Sequence, residues 1–199
     1  MNAARKGTRY RHPLVVWGQA CLAALLLSCE SYPESNYRGG DWVFVCGDIW
    51  SLSRDSFVCE NQDLRFSLLL KFERMRWITL DNVTIVDDAG GRIGSLEGLS
   101  IKRMRPPEWF FQRVPNLRTL WLRDVDLDSS WLGYLPKLEN VSMFQMGIEQ
   151  ISDVAALPAL KELDLVAVPN SREIEAEIIH MRPDVRVRVF AEIEPKPTN

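Results

Sequence analysis

The stretch Leu117-Arg118-Thr119-Leu120-Trp121-Leu122-Arg123-Asp124-Val125-Asp126-Leu127 decides how this chain folds. Its apolar residues fall at the first, fourth, sixth, ninth and eleventh positions, and the template recurs through the middle of the sequence. Before it come Met75, Ile78, Leu80, Val83 and Ile85, then Leu96, Leu99, Ile101 and Met104. After it come Leu138, Val141, Met143, Met146 and Ile148, then Leu160, Leu163, Leu165 and Val168. The first positions step by 21, 21, 21 and 22 residues, five copies in one register. A unit this short cannot bury its apolar face alone and must stack on its neighbours. Alternation around the fourth to sixth positions predicts a short strand with apolar residues inward and variable residues outward. Successive strands are expected parallel, each joined to the next by a longer return segment. Pro115, Pro136 and Pro158 stand two residues before the first position of their copies, where a residue without a backbone donor suits the loop that opens a strand.

The pattern resembles the leucine-rich repeat family over roughly residues 75–170. The resemblance implies an α/β fold, a short solenoid of about five 21–22-residue repeats with a parallel β-sheet on its concave face and a cap at each end. The chain departs from the family at the ninth position, usually asparagine or cysteine, which here is Val83, Met104, Val125, Met146 and Val168. Without that polar ladder the turns must satisfy their backbone groups in another way. In this family the second, third, fifth, seventh and eighth positions face the concave side. They include Trp77, Lys102, Arg103, Trp121, Arg123, Phe144 and Gln145. Exposed aromatics with arginine have the composition of a binding hot spot, so these residues are the candidate partner-binding surface. The bland alternative is that Trp77 or Trp121 only covers neighbouring strands.

Residues 1–28 read as a targeting segment. Arg5, Lys6, Arg9 and Arg11 precede an apolar run of 14 residues from Leu14 to Leu27, with no acid before Glu30. The run is too short to span a bilayer comfortably and suits a signal peptide. It ends in Leu26-Leu27-Ser28-Cys29, which resembles the bacterial lipobox; an ordinary signal peptide with a nearby free cysteine, or an uncleaved anchor, is the alternative. Cys21 is a poorer match, because Gly18 stands three residues upstream. The lipobox resemblance implies cleavage before Cys29 and acylation of that cysteine, palmitate among the chains. Each buried methylene contributes about 0.8 kcal/mol, and two or three chains make such an anchor stable. By analogy with Gram-negative lipoproteins, Glu30 favours delivery to the outer membrane, facing the periplasm or the cell surface. Residues 29–40, with Pro33, Ser35, Asn36, Gly39 and Gly40, are polar enough to serve as a flexible tether.

Removing residues 1–28 takes four basic residues and no acid, which moves the net charge from −3 to −7 and leaves 171 of 199 residues, one domain by size. An acidic body argues against nonspecific nucleic-acid binding and against lying on anionic lipid. With Cys21 lost and Cys29 lipidated, Cys46 and Cys59 remain, and a leftover pair in an oxidising envelope is expected to bridge. The bridge falls in an expected N-terminal cap, residues 41–74, in which Trp42–Cys46 and Ser56–Cys59 read as strands. Within the same cap Leu64, Leu68 and Phe72 predict an amphipathic helix over Asp63–Glu73. A further helix is expected from Pro106-Pro107-Glu108 to Arg113. The C-terminal cap, residues 171–194, should begin with a helix over Ser171–Met181 capped by Ser171. A strand carrying Val185, Val187 and Val189 should follow it. Residues 195–199 are expected to be disordered.

No catalytic constellation is visible, so the chain is not expected to be an enzyme or to carry a cofactor. His180, the one histidine after Cys29, reads as a surface residue at a helix C-terminus. Gly90-Gly91-Arg92-Ile93-Gly94 lacks the lysine and hydroxyl of a phosphate loop. Asp87-Asp88 and the set Asp124, Asp126 and Asp128 lack the glycine and terminal glutamate of a calcium loop and read as solvated turn acids. The sequence therefore points to a lipid-anchored envelope protein that docks another envelope or extracellular protein. The competing reading is a structural or glycan-contacting protein that uses Trp77 and Trp121 as sugar platforms.

Overall fold

The computed structural model describes residues 41–87, 90–148 and 150–190. Residues 1–40, including the expected signal segment, Cys29 and the tether, lie outside the described residues, as do Asp88 and the tail from 191 onward.

The strands in chain order are β1 (Trp42–Val45), β2 (Asp48–Ser51), β3 (Ser56–Glu60), β4 (Asp63–Leu64), β5 (Trp77–Asp81), β6 (Thr84–Ile85), β7 (Gly98–Lys102), β8 (Thr119–Arg123), β9 (Asn140–Phe144), β10 (Glu162–Val166) and β11 (Arg186–Phe190). Seven of them form one parallel sheet in the order β3-β5-β7-β8-β9-β10-β11, each beside the next member in sequence. The protein is thus α/β with few helices. Its register repeats across the sheet: Phe57, Ile78, Leu99, Leu120, Val141, Leu163 and Val187 lie side by side. Cys59, Leu80, Ile101, Leu122, Met143, Leu165 and Val189 form the second apolar row. Both rows are buried from β3 to β10 and become half-buried at β11, which has no further described strand to cover it.

The return segments carry short helices, Phe66–Leu69, Glu108–Gln112 and Ile151–Ala155, a 3-10 helix over Ser129–Tyr134, and one longer helix, Ser171–Met181. Phe66, Phe110, Phe111, Leu132, Leu135 and Val154 are fully buried and complete the core behind the strands. Phe66 meets Phe110 and Phe111 meets Trp131 in one aromatic row. The expected prolines sit second in tight turns: Leu117 N–H donates to Val114 O, Leu138 N–H to Leu135 O and Leu160 N–H to Leu157 O. Among the described residues no helix is long and apolar enough to cross a membrane.

The structure corrects three local expectations. Asp63–Glu73 is not a helix: Asp63–Leu64 pairs with Thr84–Ile85, Arg65 is extended, and only Phe66–Leu69 is helical. Leu64, Leu68 and Phe72 are buried, but so are Phe66 and Leu69, so the segment is covered on more than one side and owes nothing to a helical stripe. Ser56–Glu60, assigned to the cap, is the first strand of the main sheet. Its copy of the template is concealed by Arg54 at the first position and Gln62 at the ninth. Ser171 does not cap its helix. Asn170 does, with left-handed backbone and no side-chain bond, and Ser171 Oγ is buried without a hydrogen-bond partner.

The cysteines pair as expected. Cys46 and Cys59 form a disulfide with Cα atoms 5.4 Å apart, tying the β1–β2 hairpin to β3. That hairpin turns on Cys46 and Gly47, both at positive φ (51° and 74°), which is the backbone of a two-residue hairpin loop whose twist matches the strands.

Candidate functional site

Side chains between the two apolar rows alternate to the outward face of the sheet. The row through the middle of the strands is Val58, Thr79, Ser100, Trp121, Ser142, Asp164 and Arg188, and β8, which carries Trp121, is the central strand of the seven. Small residues flank the indole on both sides. Ser100 and Ser142 are buried although they point outward, whereas Trp121 is 46% exposed. Trp77 meets Trp121 edge to face, with ring centroids 5.5 Å apart. Its ring lies across Gly98, where a Cβ would come within 1.8 Å of the indole Cε3. Gly98 is therefore required by the tryptophan above it. Trp77 in part covers the sheet, as the bland reading held, while Trp121 stands over it.

One residue pair further along each strand lies the row Glu60, Asp81, Lys102, Arg123, Phe144, Val166 and Phe190. Arg123 is exposed, and Lys102 and Phe144 are half-exposed. Arg103 and Gln145 are not strand residues. They stand in the turns that follow, at φ 50° and 54°, and each N–H donates to the end of the next strand, Arg123 O and Val166 O. The Arg103 side chain folds back to Asp81, with Nε 2.8 Å from Oδ1, and this hydrogen bond and charge hold its guanidinium more firmly protonated than usual. The face thus brings Trp77, Lys102, Trp121, Arg123 and Phe144 together, with Arg103 and Gln145 on its margin.

A charged row at the opening end of the strands escaped the sequence reading. Asp55, Arg76, Glu97, Arg118, Glu139 and Lys161 alternate in sign from strand to strand. Arg76 binds Glu97, and Glu139 accepts from Lys161 at 2.9 Å and from Arg118 at 3.5 Å. The Lys161 hydrogen bond, with the surrounding positive charge, holds the Glu139 carboxyl below its ordinary range. The signal was present as opposite charges recurring at the repeat spacing. Near the far end Arg188 bonds Asp164 through two nitrogens, at 2.6 and 2.7 Å, and its protonation is strengthened by that pairing.

The acids weighed as calcium ligands are engaged separately. Asp126 accepts from Arg105, Asp128 caps Ser130 and is held below the ordinary carboxylate range by that serine, and Asp124 occupies a left-handed turn. Asp87 accepts from the N–H and hydroxyl of Ser67. The outward arrangement therefore offers contact area, positive charge and aromatic faces, and its Ser142 hydroxyl donates to Asp164 Oδ2 at 3.3 Å, a carboxylate already held by Arg188.

No protein-family model matches the chain, and no curated protein matches its sequence.

Proposed function

We propose that this chain is a leucine-rich-repeat solenoid, held at a bacterial envelope by a lipid on Cys29, that docks another protein on the outward face of its sheet. The observation that carries the reading is Trp121, large, nearly half exposed and central in the sheet, with Trp77, Arg123 and Phe144 around it. The 21-residue register supports the repeat assignment, since each strand aligns with the residue one period away. Leu26-Leu27-Ser28-Cys29 supports the anchor. The outer membrane is the favoured destination. Catalysis is no part of this function, and neither is nucleic-acid binding, which an acidic body disfavours.

The test is capture in the native envelope by crosslinking, comparing the parent chain with Trp121→Ala. Capture is expected to weaken by about 2 kcal/mol or more, the usual scale of a hot spot, with thermal stability nearly unchanged. A Trp121→Ala chain that melts earlier yet still captures its partner assigns the indole to the scaffold and moves the docking surface elsewhere. The anchor is checked in the same preparation by mass: residues 1–28 absent, acyl mass present, and Cys29→Ala released from the membrane fraction. A Cys29→Ala chain that stays with the membrane removes the lipid from the account.

A further inference from the structure

Lys102 and Arg123 are register partners at the ends of the adjacent strands β7 and β8. Neighbouring strands lie about 4.7–4.9 Å apart, and like charges side by side at that spacing repel. Neither side chain has a hydrogen bond or ion pair with any described residue. Five cations in or beside the strands, Arg76, Arg103, Arg118, Lys161 and Arg188, are each held by a carboxylate. What sets Lys102 and Arg123 apart from lone cations unpaired among the described residues, such as Arg92 and Arg186, is that two stand side by side. The nearest acid in their row, Asp81, is the register partner of Lys102 but is claimed by Arg103. Two adjacent cations are thus left without an ion pair among the described residues, in a chain whose acids outnumber its bases, 27 to 24.

Their surroundings are partly apolar. Trp121 lies two residues before Arg123 on the same face, and Phe144 is the register partner of Arg123 on the other side. Aromatic walls lower the local dielectric once a partner covers them, so an ion pair formed there is worth more than one in open water. We propose that the partner of this face is an acidic peptide segment whose carboxylates bridge Lys102 and Arg123 while an apolar neighbour rests on Trp121 and Phe144. The proposal rests on the docking reading above and names the chemistry of its partner. Carboxylates two residues apart on an extended peptide are about 6.6 Å apart, a span that two cations on neighbouring strands can receive together. A polyanion such as nucleic acid, or an anionic lipid surface, spreads its charge over the whole face and would meet Glu60, Asp81, Asp164 and Glu162, whereas a short acidic segment can place its carboxylates at Lys102 and Arg123 alone.

The test uses the full chain, immobilised, to select from a library of random displayed peptides at low ionic strength. Selected peptides should be enriched in Asp and Glu beside an apolar residue, and a synthetic copy should bind more weakly as salt rises. The double variant K102Q/R123Q should bind that copy at least tenfold more weakly. Its melting temperature should be equal or higher, because the repulsion between the two cations is relieved. Peptides that lose binding with Trp121→Ala but show no acidic enrichment overturn this proposal and leave the docking surface standing. An acidic consensus that binds K102Q/R123Q as well as the parent also overturns it. A parent chain that selects no peptide overturns both readings.

Discussion

At the residue scale, the turn after each strand answers the question raised by the apolar ninth position. Asn61, Asn82, Arg103, Asp124, Gln145 and Ala167, each at the eighth position of its copy, all have left-handed backbone with φ between 50° and 54°. Each donates its N–H to the last carbonyl of the following strand, from Asn61 to Asp81 O through Ala167 to Phe190 O. The backbone itself thus supplies the ladder that asparagine side chains would have made, and Val83, Met104, Val125, Met146 and Val168 are free to be buried. Asparagine tolerates this conformation; alanine gains nothing from it. A Cβ there costs roughly 1–2 kcal/mol, of which glycine gives back roughly 0.5–1 kcal/mol in lost backbone freedom. Ala167→Gly is therefore expected to stabilise the chain by up to about 1 kcal/mol, seen as a rise of about 2–4 °C in melting temperature. A lower melting temperature would show that the methyl group contributes packing worth more than the strain. The row of left-handed residues was not legible in advance, because only three of the six, Asn61, Asn82 and Asp124, are of a type that favours it.

At the element scale, the disulfide matters for the hairpin more than for the sheet. Among the described residues β1 and β2 pair as strands with each other and not with the main sheet, and Cys46–Cys59 is their covalent tie to β3. Closing a loop across a sequence separation of 13 should contribute about 3 kcal/mol in the chain-entropy model. The double variant Cys46→Ala/Cys59→Ala is expected to lose about that much in denaturant unfolding. Amide exchange should rise first in Trp42–Ser51. Uniform acceleration across the sheet would instead mean that the hairpin and sheet open together. The pairing itself was readable from the cysteine count. The hairpin was not, since its turn is Cys46-Gly47, whose cysteine appeared to have a different task. The misread helix over Asp63–Glu73 has a similar cause: the residues expected on one helical face are buried, but a two-residue strand and one helical turn achieve it.

At the scale of the whole molecule, each inner strand of the sheet bonds the sheet members that come before and after it in sequence, so the core is a chain of local contacts. Leu120 is fully buried in the central strand. Leu120→Ala should cost about 2–5 kcal/mol, and because β8 links β7 to β9 the loss should lower the whole transition without splitting it. The check is equilibrium unfolding followed by both tryptophan fluorescence and circular dichroism; transitions that separate would mean the two halves of the sheet fold independently. Which residues point inward, where the strands lie and the order in which they pair were all determined by the sequence itself. Residues one period apart carry the same apolar pattern, and roughly 21 residues suffice only to leave a strand, cross back and begin the next beside it. Even there, the register ran one strand beyond the recognisable copies, to Phe57 and Cys59, where polar residues at the first and ninth positions hid it. The outward face was decided by the tertiary structure. Trp77 settles across Gly98 onto Trp121, and Arg103 turns back to take Asp81 and leaves Lys102 and Arg123 without an acid. Those choices depend on side chains from neighbouring strands competing for the same partners about 5 Å apart, a contest between residues some 20 positions distant that no single copy of the repeat contains.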